Sequence, residues 1–69
     1  MKEIRVTING AEEQVPMAAT LSSLLKQFFK DEIHLIVELN GRCVYPEKYD
    51  TTTLSAGDKI EFINPNFGG

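Results

Sequence analysis

Thr20-Leu21-Ser22-Ser23-Leu24-Leu25-Lys26-Gln27-Phe28 is the stretch where the period of the apolar residues changes. Leu21, Leu24, Leu25 and Phe28 fall at i, i+3, i+4 and i+7, which gathers them on one stripe of a helix, and Thr20 occupies the N-cap position. That stripe must be buried against something, and the segments around it read as strands. Upstream, Ile4, Val6 and Ile8 alternate with Arg5 and Thr7. Asn9-Gly10 then supplies a two-residue turn that favours positive φ, and Glu13 to Val15 returns, which makes a β-hairpin. Downstream, Ile33, Leu35, Val37 and Leu39 alternate with His34, Ile36 and Glu38 up to a second turn, Asn40-Gly41, from which Arg42 to Tyr45 pairs back. Pro46 ends that strand. A polar stretch from Glu47 to Thr53 crosses the surface to Leu54, Gly57-Asp58 turns the chain, and Lys59 to Ile63 makes a last short strand.

Strand, strand, helix, strand, strand, strand in so short a chain predicts an α+β domain, a mixed sheet of four to five strands with one main helix across one face. The ubiquitin-like β-grasp fits this order. It would set the first and last strands side by side in the middle of the sheet, with residues 1–63 as the domain and 64–69 as a flexible tail. Such domains serve many purposes, so function must come from particular residues.

Composition narrows the classes. With 69 residues, 42% hydrophobic and 25% charged, the chain has room for one core, supplying about 3–5 kcal/mol without a disulfide to help it. A pocket large enough for its own catalysis is not expected. No apolar run approaches the roughly 20 residues of a membrane span, and Met1-Lys2-Glu3-Ile4 does not open a signal peptide, so a cytoplasmic protein without a membrane partner is expected. The net charge is −3, with seven lysines and arginines scattered among ten acids, which argues against a nucleic-acid partner. Cys43 is the single cysteine, so a four-cysteine iron–sulfur cluster is excluded. Beside the second turn it reads as a small apolar side chain with no base or cation to activate it. His34 has no spaced cysteine or histidine to complete a metal site. Glu12-Glu13, Asp31-Glu32 and Glu47 read as solvated turns and faces, or as acids that meet a basic rim on a partner. No carboxylate pair in the sequence points to acid–base catalysis.

Val37-Glu38-Leu39-Asn40-Gly41, Val44-Tyr45-Pro46, Tyr49, Leu54, Gly57-Asp58-Lys59-Ile60-Glu61 and the final Gly68-Gly69 resemble the pattern of the ThiS family, the sulfur carriers of thiamine biosynthesis. The resemblance covers the C-terminal half in order, while the N-terminal half agrees in layout. Two departures stand out. Glu47 follows the proline where that family often has a basic residue. Phe62-Ile63-Asn64-Pro65-Asn66-Phe67 replaces a small-residue approach to the glycines and is similar to the ending of the MoaD branch, the small subunit of molybdopterin synthase.

The resemblance implies a protein cosubstrate rather than an enzyme. The Gly69 carboxylate would be activated by ATP as an acyl-adenylate on an E1-like adenylyltransferase of the ThiF or MoeB kind. A sulfur donor such as a cysteine desulfurase would then convert it to a thiocarboxylate. An acceptor synthase would take the sulfur, either a ThiG-like thiazole synthase or the large subunit of molybdopterin synthase. ATP would be the partner's substrate, with no cofactor bound by this chain, which would be a monomer when free.

Glycine lacks a Cβ, so Gly68 and Gly69 can thread into a narrow partner site. Phe67, before them, reads equally as a partner anchor or as a ring folded back on the core, and Pro65 restricts the tail in both cases. Ile36 and Ile63 interrupt otherwise polar positions on the sheet face away from the helix and are candidate docking residues. Carriers for cysteine or homocysteine synthesis are further possibilities within the class. A ubiquitin-like modifier ending as an isopeptide, and a non-covalent interaction domain with an incidental tail, are alternatives from other classes.

Overall fold

Two Asn-Gly dipeptides set the frame. Asn9 and Asn40 sit at φ 50° and 53°, followed by Gly10 and Gly41 at 87° and 84°, a succession of positive φ values that suits tight hairpins between right-handed strands. The structure, a computed structural model, describes residues 2–29 and 34–65. The first turn joins β1 (Glu3–Ile8) to β2 (Ala11–Pro16), with Ile8 opposite Ala11. The second joins β3 (Ile36–Leu39) to β4 (Arg42–Val44), with Leu39 opposite Arg42. The last strand, β5 (Lys59–Ile63), lies between the two hairpins, parallel to β1 and antiparallel to β3, so the sheet runs β2-β1-β5-β3-β4. The first and last strands are therefore neighbours inside the sheet, as the β-grasp arrangement requires.

The helix α1 spans Leu21–Phe28 and begins where the sequence indicates. The Ser23 N–H donates to Thr20 Oγ1 (3.2 Å) and the Thr20 N–H to Ser23 Oγ (3.0 Å), a reciprocal capping box. Two further N-terminal amides are satisfied from outside the helix. Leu21 N–H donates to the Thr52 carbonyl and Ser22 N–H to the Tyr49 carbonyl, which ties the helix to the segment after β4. That segment opens with a 3₁₀ turn over Pro46–Lys48, and Leu54 N–H donates to the Ala19 carbonyl at its far end. The polar crossing predicted from Glu47 to Thr53 is thus a built support for the helix start.

The core consists of Val6, Ile8, Val15, Ala19, Leu21, Leu24, Val37, Leu54, Ile60 and Phe62. It lies between α1 and one face of the sheet, and among the described residues no polar side chain is buried in it. Three sequence expectations need correction. The apolar stripe was expected to close on Phe28, but Phe28 is exposed and Phe29 packs on the core instead. The helix ends at Phe28, and Phe29 leaves helical geometry (φ −140°), so its ring meets Phe62 at a centroid distance of 4.7 Å. Cys43, read as a small apolar side chain, is exposed to water rather than packed. It occupies an outward position of the edge strand β4, opposite Glu38. Finally, Tyr45 falls outside β4 as an exposed residue before Pro46, and β3 begins at Ile36, with His34 exposed ahead of it. Ile33, the proposed start of that strand, and Asp31-Glu32 lie outside the described residues.

Candidate functional site

β5 is covered on both flanks. On one side Thr7 and Ile8 of β1 stand beside Lys59 and Ile60, and on the other Ile36 to Leu39 of β3 stand opposite Ile63 to Ile60. Ile60 and Phe62 point into the core, whereas Lys59, Glu61 and Ile63 point to the opposite face. The chain that continues to Gly68 and Gly69 therefore leaves from an anchored interior strand rather than from a sheet edge. Phe67, Gly68 and Gly69 themselves lie outside the described residues.

Ile36 and Ile63, singled out together from the sequence as docking candidates, are neighbours across two strands. They are directly paired across β3 and β5 on the face away from α1, 41% and 40% exposed. One step along the same face, Glu38 and Glu61 are also directly paired, both half-buried. Like charges in this position repel, a cost that a cation from another molecule would relieve. The acidic pair was not visible in the sequence, because its members are far apart in the chain and meet through strand register alone. It lies on the sheet face away from α1, in line with Ile36 and Ile63. Cys43 extends this face beside Glu38. The Tyr49 phenol is pushed above its ordinary range, first by burial and second by its electrostatic interaction with Cys43.

Among the described residues, no group of three or more His, Cys, Asp or Glu side chains could hold a metal ion, and no helix is long and apolar enough to cross a membrane. A concavity of about 190 Å³ is lined by Arg5, Glu12, Glu13 and Gln14 on the β1–β2 ribbon. It is open and polar. Its Arg5–Glu12 pair is 4.0 Å apart with both side chains largely in water, a contact of small energetic weight.

Fold and site together define a class, the ubiquitin-like β-grasp domain whose last, interior strand runs on toward Gly-Gly. The family model for the ThiS family matches residues 2–69, and the chain belongs to that family, within the ThiS/MoaD-like sulfur carriers. It is also similar to the crystal structure of a thiamine biosynthesis protein, ThiS, from Geobacter metallireducens. The identity is 30%, the TM-score is 0.82, and the match covers 96% of this chain and 100% of that one. No curated protein matches significantly. The family match extends to the N-terminal half, where the sequence alone offered layout without motif.

Proposed function

We propose that the protein is the sulfur carrier of thiamine (thiazole) biosynthesis, acting as a recycled protein cosubstrate. A carboxylate is a poor acyl donor, so Gly69 is first joined to AMP, with loss of pyrophosphate from ATP, on an E1-like adenylyltransferase. The persulfide of a cysteine desulfurase then displaces AMP to form an acyl disulfide with Gly69. A thiol reductant cleaves its S–S bond, leaving as a disulfide with the donor sulfur, and the Gly69 thiocarboxylate so released delivers sulfur to a thiazole synthase. Enclosure of Gly68-Gly69 in partner pockets keeps water from the acyl-adenylate. The carrier's own contribution is to dock and to present the tail. What supports this reading most is the family match running through residue 69. The MoaD-like run Phe62-Ile63-Asn64-Pro65-Asn66-Phe67 favours a second reading, with the large subunit of molybdopterin synthase as acceptor.

The test is intact-mass measurement of the protein after incubation with ATP, the adenylyltransferase of its host and a sulfur donor, followed by fragmentation. Exchange of oxygen for sulfur at Gly69 is expected. Sulfur confined to Cys43, or an isopeptide to a lysine, would reject the carrier role. Incubation of the thiocarboxylate with each synthase then separates the two acceptors.

The paired residues on the open sheet face are proposed as the docking surface, with Ile36 and Ile63 filling an apolar depression and Glu38 and Glu61 meeting basic side chains of the adenylyltransferase. Replacing Ile36 and Ile63 together by serine is expected to raise the KM for the carrier about tenfold or more, the effect of losing a central apolar anchor. Glu38→Gln should move two measurements in opposite directions. It relieves cross-strand repulsion, stabilising the fold by about 0.2–1 kcal/mol. It also slows association with the partner and flattens the salt dependence of that rate. Unchanged kinetics in both variants would place the docking surface elsewhere.

A further inference from the structure

The two hairpin asparagines do more than turn the chain, because each reaches sideways to the backbone of β5. At the entrance to β5, Asn40 N–H donates to the Lys59 carbonyl (2.8 Å), and the Lys59 N–H donates back to Asn40 Oδ1 (2.9 Å). At the exit, Asn9 N–H donates to the Ile60 carbonyl (2.9 Å), and the Phe62 N–H donates to Asn9 Oδ1 (2.8 Å). In a continuing ladder the returning bond would go to a main-chain carbonyl. Here both chains reverse into a glycine at positive φ, and the side-chain oxygen takes that place. The Asn40 carboxamide is further oriented by its Nδ2 donating to Asp58 Oδ1 (3.0 Å).

The two clamps hold opposite ends of β5. Asn40 secures the start, which the Gly57-Asp58 turn also holds through Gly57 N–H to the Arg5 carbonyl and Thr7 N–H to the Asp58 carbonyl. Asn9 secures the end. Past Ile60, β1 offers β5 no further paired residue, while β3 continues to Ile63 on the other side. The Asn9 contact at Phe62 therefore closes the β1 flank of β5 one residue before Ile63 and the segment leading to the tail. The Phe62 ring is fixed from below by Phe29, and its N–H is fixed from the side by Asn9.

We propose that Asn9 is a positioning residue for the C-terminal tail, its carboxamide setting the direction in which the chain leaves β5 and so the entry of Gly68-Gly69 into the adenylyltransferase. The consequence for activation rests on the carrier reading, whereas the clamp itself does not.

Two substitutions separate the clamp from the turn. Asn9→Gly keeps the positive φ at no steric cost but removes the acceptor. Asn9→Asp keeps both the acceptor and the tolerance of positive φ. Amide hydrogen exchange at Phe62, followed by NMR, is expected to accelerate roughly fivefold to tenfold in Asn9→Gly and to stay near wild type in Asn9→Asp, the scale of one lost neutral hydrogen bond. In steady-state adenylation of the same proteins, kcat should fall by a similar factor in Asn9→Gly at nearly constant KM, and Asn9→Asp should restore it. Unaltered Phe62 exchange in Asn9→Gly overturns the clamp. Accelerated exchange with unchanged kcat, or with a loss confined to KM, overturns the positioning role. A wild-type chain that is never adenylated would reject the carrier reading and with it the positioning role, while Phe62 exchange would still decide the clamp.

Discussion

Adding one bulky residue after Gly69 is expected to abolish acyl-adenylate formation while leaving the thermal melt of the domain unchanged. Among the described residues the core runs from Val6 to Phe62, so an addition after Gly69 leaves that packing in place. The proposed activation, in contrast, would need the terminal carboxylate beside the ATP phosphate, with two residues without Cβ atoms letting the backbone approach closely. An added side chain moves the carboxylate by a residue's length. A misplacement of about 1 Å can cost 10²-fold, so the expected loss is roughly 100-fold or more. Pyrophosphate release, with and without the extension, measures it. Unimpaired release would sink the proposal that the tail threads into a fitted site, and a shifted melt would show that the tail belongs to the fold.

Leu24→Ala is expected to leave the protein largely unfolded near room temperature. Leu24 is fully buried at the centre of α1. Truncation of such a leucine costs about 2–5 kcal/mol, lost transfer energy plus the cavity left behind. That matches the about 3–5 kcal/mol that a core of this size supplies. The helix cannot compensate, since its eight residues are too few to persist without the sheet. Leu25→Ala, at a half-buried position of the same helix, should cost about half as much. Urea titrations followed by far-UV circular dichroism compare the two. A Leu24→Ala midpoint close to wild type would mean that α1 contributes far less to the core than its burial indicates.

Elements whose signal is local were legible in advance. Alternation in Ile4 to Ile8 and in Leu35 to Leu39 marks strands because successive side chains must face opposite ways, and only one face is covered. The Asn-Gly turns and the Thr20 cap arise from backbone preferences of single residues. The glycines at the end were equally plain, while the chemistry proposed for them is supported by resemblance to a family and then by membership of it. The helix end was not legible. Phe28 and Phe29 are equally apolar, and which ring turns inward depends on where the last turn breaks.

Amino-acid order alone determined the hairpins, the helix start, the α+β class and the Gly-Gly ending, since each depends on interactions among near neighbours. Tertiary structure alone decided that Ile36 meets Ile63, that Glu38 meets Glu61, and that Cys43 faces outward. It also decided that Asn9 reaches a backbone amide 53 residues away. Those contacts depend on the register between strands distant in the chain. Register is selected by burial of the whole apolar face at once, because a slip of one residue would turn every core side chain of a strand toward water.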